Sequence, residues 1–276
     1  MKRKIIFVLT SIFVVLLFLT SACAAKNDQI KSFGNEPEQE VMDAVIEEFP
    51  NKVDENLTKD NLVKIYALEY DICDFDKTAE NMAKAKRLKD ILSGDYSWIV
   101  IFTRKNDLPE NSLITSAAIC SVGKGMTVSE YEAACKHYGA EIDETFKASL
   151  AEEEGKWVTH ALRSTTEFEL KMLDKEEAYK LFKEKGVTPV KNGDEIVVAS
   201  SVLLSGMKFI CTQAEDGKEY VITDAPIWYG EYFKEGELYE LTDFFQRQKA
   251  FYEYEKSVTP IDGKNENGEE VYGGVY

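Results

Sequence analysis

The first 25 residues of this 276-residue chain limit what the rest can fold into. Met1, Lys2, Arg3 and Lys4 form a positively charged start, and residues 5–25 carry no charge and are dominated by Ile, Phe, Val and Leu as far as Leu19. A cationic start followed by a short apolar run is typical of an export signal. The folded body must therefore be built by the residues that follow.

The end of this apolar run carries a more specific pattern, Leu19-Thr20-Ser21-Ala22-Cys23. It resembles the lipobox of bacterial lipoproteins, in which small residues precede a cysteine that becomes the lipidated N-terminus. The leucine stands one residue earlier than in the usual pattern, and threonine takes its place. The resemblance covers residues 1–23 only, and it implies a signal peptide over residues 1–22 with Cys23 as the lipidation site.

A lipid on Cys23 would anchor the protein in the cell membrane, on its extracytoplasmic face. Each buried acyl CH₂ adds about 0.8 kcal/mol of membrane affinity, and several chains together give a stable anchor. Two alternatives stay open at this point. The uncharged run of residues 5–25 is long enough to serve as an uncleaved transmembrane anchor, and simple secretion would leave no anchor at all.

The chain is acidic, with 50 Asp and Glu against 33 Lys and Arg, a formal charge of −17. Removal of residues 1–22 takes away three positive charges and no acidic residue, so the charge becomes −20. Nucleic-acid binding draws most of its affinity from clustered Lys and Arg, so we expect no nucleic-acid partner. Anionic lipid headgroups would also repel such a body, and we expect the lipid to provide the attachment.

The mature chain divides by composition into four parts. Residues 23–36 are polar and aperiodic, which is typical of a flexible tether. Residues 37–125 and 126–258 are predicted as an N-terminal and a C-terminal α+β region. Residues 259–276 are rich in glycine and charge, and we expect a disordered tail.

Hydrophobic periodicity predicts an α+β fold of antiparallel sheets flanked by helices. Strands are predicted at 62–73, 96–103, 113–122, 157–163, 166–173, 195–204, 207–213 and 219–223. Helices are predicted at 37–49, 78–92, 128–138, 141–154 and 175–185, and in the segment beginning near 241. Two halves, 60–125 and 164–225, share the order strand, helix, strand, strand, so an internal duplication is one interpretation. Few βαβ crossovers are visible, which argues against a doubly wound parallel sheet.

The cysteines and histidines show no metal-binding or catalytic pattern. Cys73, Cys120, Cys135 and Cys211 form no Cys-x-x-Cys pair, and His137 and His160 do not stand at ligand spacing from them. We expect these cysteines to be buried core residues, with disulfides as the alternative outside the cytoplasm. Neither a Gly-x-Ser-x-Gly nor a His-Glu-x-x-His motif occurs. We therefore predict no catalytic residue, no metal and no cofactor.

Two further patterns have ordinary structural interpretations. Ser-x-x-Lys occurs at 121–124 and 205–208, but its companion motifs are missing and both copies fall at strand ends, so we interpret them as turns. Asp71, Asp74 and Asp76 precede a predicted helix without the spacing of an EF-hand. These acids are expected to stabilise the helix N-terminus.

Aromatic residues are concentrated near the C-terminus, with ten of them between residues 228 and 254. Those at helical spacing after residue 241 are expected in the core. Trp228, Tyr229, Tyr232 and Phe233 precede that helix, and we name them as candidate ligand-binding residues because aromatic rings supply large, rigid contact surfaces.

Together these features predict a non-enzymatic binding or interaction module of a bacterial envelope, held to the membrane by lipid on Cys23. Its partner would be an envelope protein, a peptide or a glycan. One alternative is a solute-binding lipoprotein of a transporter, which calls for two lobes around a deep polar cleft. Another is an envelope hydrolase whose site is assembled from distant residues, which calls for a pocket holding a perturbed acid or histidine.

Overall fold

The structure, a computed structural model, describes residues 38–50, 57–71, 74–103, 117–138, 141–193, 195–204, 207–226 and 229–258. The predicted signal peptide, the tether with Cys23, the C-terminal tail, Cys73 and Trp228 lie outside these residues. Within the described ranges, no helix combines the length and apolar character needed to cross a membrane.

Eight strands and seven α-helices lie in the described part of the chain. The strands are β1 Leu62–Leu68, β2 Leu92–Thr103, β3 Ala117–Lys124, β4 Trp157–Ser164, β5 Val197–Ser201, β6 Met207–Gln213, β7 Glu219–Thr223 and β8 Leu238–Glu240. The helices are α1 Glu38–Glu48, α2 Phe75–Lys84, α3 Val128–Tyr138, α4 Glu144–Glu153, α5 Glu167–Leu173, α6 Lys175–Glu184 and α7 Leu241–Val258.

The strands form one mixed, mostly antiparallel sheet with the order β4-β3-β2-β1-β5-β6-β7-β8. Strands β1 to β4 form one antiparallel meander and β5 to β8 form another. The two meanders meet where β1 runs parallel to β5, with Tyr66 opposite Ala199. The predicted α+β class with antiparallel strands and flanking helices is confirmed.

The boundary predicted after residue 125 does not separate two bodies in space. Strand β4 comes from the predicted C-terminal region, yet it pairs along its length with β3 of the N-terminal region, with Val122 opposite Thr159. Helices α3 and α4 are inserted between these two paired strands and pack on each other through Tyr131, Phe146 and Leu150. The first meander therefore extends to residue 164.

The predicted strand at 166–173 is wrong, because this segment forms helix α5. The Thr166 side chain accepts a hydrogen bond from the Glu169 backbone N–H, which caps the helix. Phe168 and Met172 are spaced like residues on one face of a strand, but residues four positions apart also lie on one face of a helix. The order strand, helix, strand, strand is therefore absent from the second predicted half. What repeats in the structure is a four-stranded meander, formed once by β1 to β4 and once by β5 to β8.

Several local predictions agree with the structure. Strands β2 and β3 form the expected hairpin pair. Thr127 and Glu130 form a reciprocal capping box at the start of α3, and the Asp174 side chain caps α6. Helix α2 begins three residues earlier than predicted, where Asp74 caps it, and ends eight residues earlier, because the backbone becomes extended at Ala85. Strand β8 has three residues and escaped prediction.

The helices cover both faces of the sheet. Helix α1 packs on β2 and β3 through Val41 and Val45, and α7 packs on β6 through Phe244 and Phe245, beside α2. Ile210 points to the opposite face, where α5 and α6 contribute Met172 and Phe182. Cys120, Cys135 and Cys211 are buried free thiols, which confirms the prediction that they pack in the core.

A buried ion cluster joins α5 to both meanders. The Glu169 carboxylate, on a residue 3% exposed, lies 3.0 Å from Lys208 Nζ on β6 and 2.5 Å from an Arg163 guanidinium nitrogen on β4. Asp224 accepts from the Lys208 backbone N–H at 2.9 Å and lies 3.5 Å from Nζ. Burial raises the pKa of the Glu169 carboxyl, but the charges of Lys208 and Arg163 and a hydrogen bond from Thr165 lower it, and the net pKa lies below its ordinary value.

Replacing Lys208 by methionine should lower the free energy of unfolding by about 3 kcal/mol or more, because a broken buried ion pair leaves carboxylates buried with too few positive partners. Urea unfolding measures the change. The control is Lys180→Met, which removes an exposed ion pair with Glu177 on α6 and should lower the free energy of unfolding far less, because surface ion pairs contribute little. Equal losses for the two variants would contradict a special role for the cluster.

Candidate functional site

A cleft of about 270 Å³ lies where β1 ends, β2 begins and α2 starts. Its walls are formed by Glu69, Tyr70, Asp71, Lys77, Thr78, Asn81, Met82, Ile91, Ser93 and Asp95. The Glu69 backbone N–H donates to the Ile91 carbonyl at 2.7 Å, which holds the two strand ends together. The Asp71 N–H donates to the Thr78 hydroxyl at 2.8 Å, which ties the end of β1 to α2.

The charged residues that line the cleft are mostly acidic. Glu69, Asp71 and Asp95 contribute carboxylates, and Lys77 contributes the one ammonium among the lining residues. Lys77 Nζ lies 3.6 Å from an Asp71 carboxylate oxygen, so the remaining carboxylates leave the cleft with a negative balance. A positively charged group is the complementary ligand for such a surface.

Asp95 has the most perturbed carboxyl group of the cleft. Burial raises its pKa from 3.8 to about 6, the Glu130 charge adds to the rise, and a hydrogen bond with Ser93 opposes it. Glu130 lies in the first turn of α3, where its carboxylate accepts from the Thr127 backbone and hydroxyl. The charge of the cleft is therefore coupled to α3 and changes near neutral pH.

The aromatic residues predicted to bind a ligand are placed differently from expectation. Tyr229 and Phe233 are 3% and 2% exposed and belong to the main core with Phe251, and the Tyr229 hydroxyl donates to the Leu204 carbonyl. Tyr232 is half-buried against the Phe251 ring, 5.5 Å away. Trp228 lies outside the described residues. The segment folds back on α7, so Tyr229 and Phe233 offer no surface to an external ligand, which corrects the prediction for these two residues.

Asp71, Asp74 and Asp76 lie at the start of α2, with Asp76 in its first turn. Asp74 caps α2 by accepting from the Lys77 backbone N–H, as expected for an acid at a helix N-terminus. Asp76 binds Lys256 Nζ at 2.6 Å and accepts from the Tyr252 hydroxyl, and both contacts lower its pKa. In the part of the chain that the structure describes, no group of three or more His, Cys, Asp or Glu is arranged to hold a metal ion.

Burial also shifts the pKa values of the histidine and cysteine side chains that sequence reasoning considered. It lowers the pKa of His160 to about 4, so this imidazole is neutral at pH 7. It raises the pKa of the Cys120 thiol to about 12 and raises that of Cys211 as well. A protonated, buried thiol is a poor nucleophile. The side chain of His137 is not among those described.

Four residues that line the cleft were not predicted as site residues: Glu69, Asn81, Ser93 and Asp95. Glu69 fell inside a predicted strand and Asn81 inside a predicted helix, so neither position stood out. The available signal was Ser93-Gly94-Asp95, a break that follows the helical pattern, and Gly94 has the φ of +87° that favours glycine.

No family model, curated protein or solved structure matches this chain. The chemistry of the cleft is therefore inferred from its own residues.

Replacing Asp95 by asparagine should stabilise the protein more at pH 7 than at pH 4. The folded state holds the Asp95 proton up to about pH 6, whereas a carboxyl with the ordinary pKa of 3.8 has lost it by then. The folded state thus binds more protons between these values, and the contribution of Asp95 to stability falls as pH rises through that window. Urea unfolding from pH 4 to pH 8 should show the gain from Asp95→Asn growing up to about pH 6 and then levelling.

The control is Asp60→Asn, which removes one exposed carboxylate from the turn before β1. An equal gain in the two variants would show no special property of Asp95. A flat difference for Asp95→Asn would contradict the perturbed carboxyl.

Proposed function

We propose that this protein is a binding module of the bacterial envelope, anchored by lipid on Cys23 to the extracytoplasmic face of the cell membrane, and that its cleft binds a positively charged group of its ligand. The lipobox-like segment supports the location. The acidic cleft at the end of β1 supports the binding part of the proposal, because three carboxylates line one cavity.

The cleft suits an alkylammonium group such as the end of a lysine side chain. Glu69 and Asp95 supply negative charge, and Met82 and Ile91 supply apolar contact for methylene groups. Asn81 adds an amide that can donate or accept a hydrogen bond. Ion pairs in a partly enclosed site are stronger than those on an open surface.

The overall arrangement fits a body that is held near the membrane and does not lie on it. Residues 23–36 would link the lipid to α1, and a flexible chain of this length spans roughly 20 Å on average. The charge of −20 on the mature chain opposes contact with anionic headgroups. The cleft would then meet ligands within the reach of the tether around the anchor.

One observation favours a hydrolase as a second candidate. A carboxyl with a pKa of about 6 in a cleft has the property of a general acid, and Glu69 and Asp71 line the same cleft as ionisable partners. A substrate that the wild type converts and Asp95→Asn does not would assign this role. The solute-binding alternative calls for two lobes around a cleft, whereas the described strands form one continuous sheet.

The full-length chain in detergent micelles should bind 1,4-diaminobutane and not its neutral analogue 1,4-butanediol, as measured by isothermal titration calorimetry. Affinity for the diamine should rise severalfold from pH 5 to pH 7.5, because Asp95 loses its proton over this range. Asp95→Asn should weaken binding at pH 7.5 about fivefold or more and remove most of the pH dependence.

Asp60→Asn is the matched control and should leave both properties unchanged. Equal affinity for the diamine and the diol, or equal pH dependence in Asp95→Asn, would contradict a cation site in this cleft.

The anchor is tested by labelled palmitate. Expressed in bacteria, the wild type and Cys135→Ala should incorporate the label, and Cys23→Ala should lose it and leave the membrane fraction. Incorporation that persists in Cys23→Ala would overturn lipidation at this residue.

A further inference from the structure

A second surface lies at the same end of the sheet as the cleft and is formed by other residues. In the register of the first meander, Tyr66 stands opposite Tyr96 on β2, and Lys124 on β3 stands opposite Trp157 on β4. Because Trp98 pairs with Val122, Tyr96 comes level with Lys124. The four side chains form a row across β1 to β4, about 14 Å long at the usual strand spacing of about 4.8 Å.

Two lysines lie against the aromatic rings of this row. Lys64 Nζ lies 3.9 Å from the centroid of the Tyr96 ring and 5.3 Å from that of Trp98. Lys124 Nζ lies 4.9 Å from the Trp157 ring. The Tyr96 and Trp157 centroids are 5.9 Å apart with planes inclined by 37°. We call this surface the aromatic–lysine face, and its members are Lys64, Tyr66, Tyr96, Trp98, Lys124 and Trp157.

The aromatic–lysine face is partly open to solvent. Helix α1 covers the sheet at the other end of these strands, where Val41 and Val45 pack on Val100 and Cys120. Trp98 is buried at the margin of that contact, and the other members are half-buried and keep part of their side chains exposed. Rings and ammonium groups thus lie side by side on this face, and Lys124 Nζ also donates a hydrogen bond to the Gly155 carbonyl.

We propose that the aromatic–lysine face binds an anionic saccharide chain. Sugar rings present flat apolar faces that pack on aromatic side chains, and their carboxylates pair with ammonium groups. A row of three rings and a lysine about 14 Å long, with Lys64 beside it, takes more than one sugar ring.

The geometry of this face argues for this occupant against two others. An extended peptide adds along an edge strand, which here is β4, whereas this row of side chains runs across β1 to β4. A nucleic acid requires a larger cluster of Lys and Arg, and the chain carries a formal charge of −17. A carboxylated saccharide needs only local positive charge beside aromatic rings.

This site is separate from the cleft and takes a ligand of opposite charge. Its occupation by an acidic saccharide does not depend on whether the cleft binds an amine. The two proposals can therefore fail independently.

The test uses tetragalacturonate as the acidic probe and maltotetraose as a neutral one of equal length, added to the full-length chain in detergent micelles. Tryptophan fluorescence is a direct signal, because Trp98 and Trp157 are two of the three tryptophans. We expect the acidic tetrasaccharide to bind at least tenfold more tightly than the neutral one. Its affinity should fall as sodium chloride rises from 50 to 500 mM.

Variants locate the binding by calorimetry. Trp157→Ala should weaken tetragalacturonate binding about tenfold and Lys64→Gln about fivefold, while Trp157→Phe, which keeps a ring and protects the fold, should retain most of it. The controls are Lys89→Gln and Tyr254→Ala, exposed residues of the same types elsewhere. Diaminobutane binding at the cleft should be unchanged in every one of these variants.

Three results would overturn the proposal: no binding of tetragalacturonate, equal affinity for the two tetrasaccharides, or equal losses in Lys64→Gln and Lys89→Gln.

Discussion

The shape of this protein depends on one carboxylate, that of Glu169, which contacts Arg163 on β4 and Lys208 on β6. These strands are five positions apart in the sheet, so they would lie about 24 Å apart if the sheet were flat. Two side chains can reach one carboxylate across that span only if the sheet curls around α5. These contacts hold the curl, because separating the strands would leave the Glu169 carboxylate buried without its positive partners.

Different helices cover the two faces of the curled sheet. The inner face is filled by α5 and α6, and the outer face is shared by α1, α2 and α7. Neither set of helices fully covers the end of the first meander at which β2 begins. Asp95, which lines the cleft, and Tyr96, which belongs to the aromatic–lysine face, are neighbours in β2. One strand thus contributes an acid to the cleft and a ring to the aromatic–lysine face.

Local features were predictable from the sequence because they depend on neighbouring residues. The caps at Thr127 and Asp174 and the pairing of β2 with β3 belong to this class. Helix α5 was not, since Phe168 and Met172 satisfy two periods and only its packing in the curled sheet decides between them. The cleft and the aromatic–lysine face require the register of strands far apart in the chain, and one sequence does not reveal that register.

The central claim is that one end of the sheet carries two independent binding surfaces of opposite charge. The most direct measurement is two-dimensional amide NMR of the full-length chain in detergent micelles, with diaminobutane and tetragalacturonate added in turn and then together. The account predicts that the amine shifts the amides of Glu69, Asp71 and Ser93 and that the saccharide shifts those of Lys64, Lys124 and Trp157, each set unchanged by the other ligand. Shifts that fall in one common set, or around Tyr229 and Phe233, would contradict it.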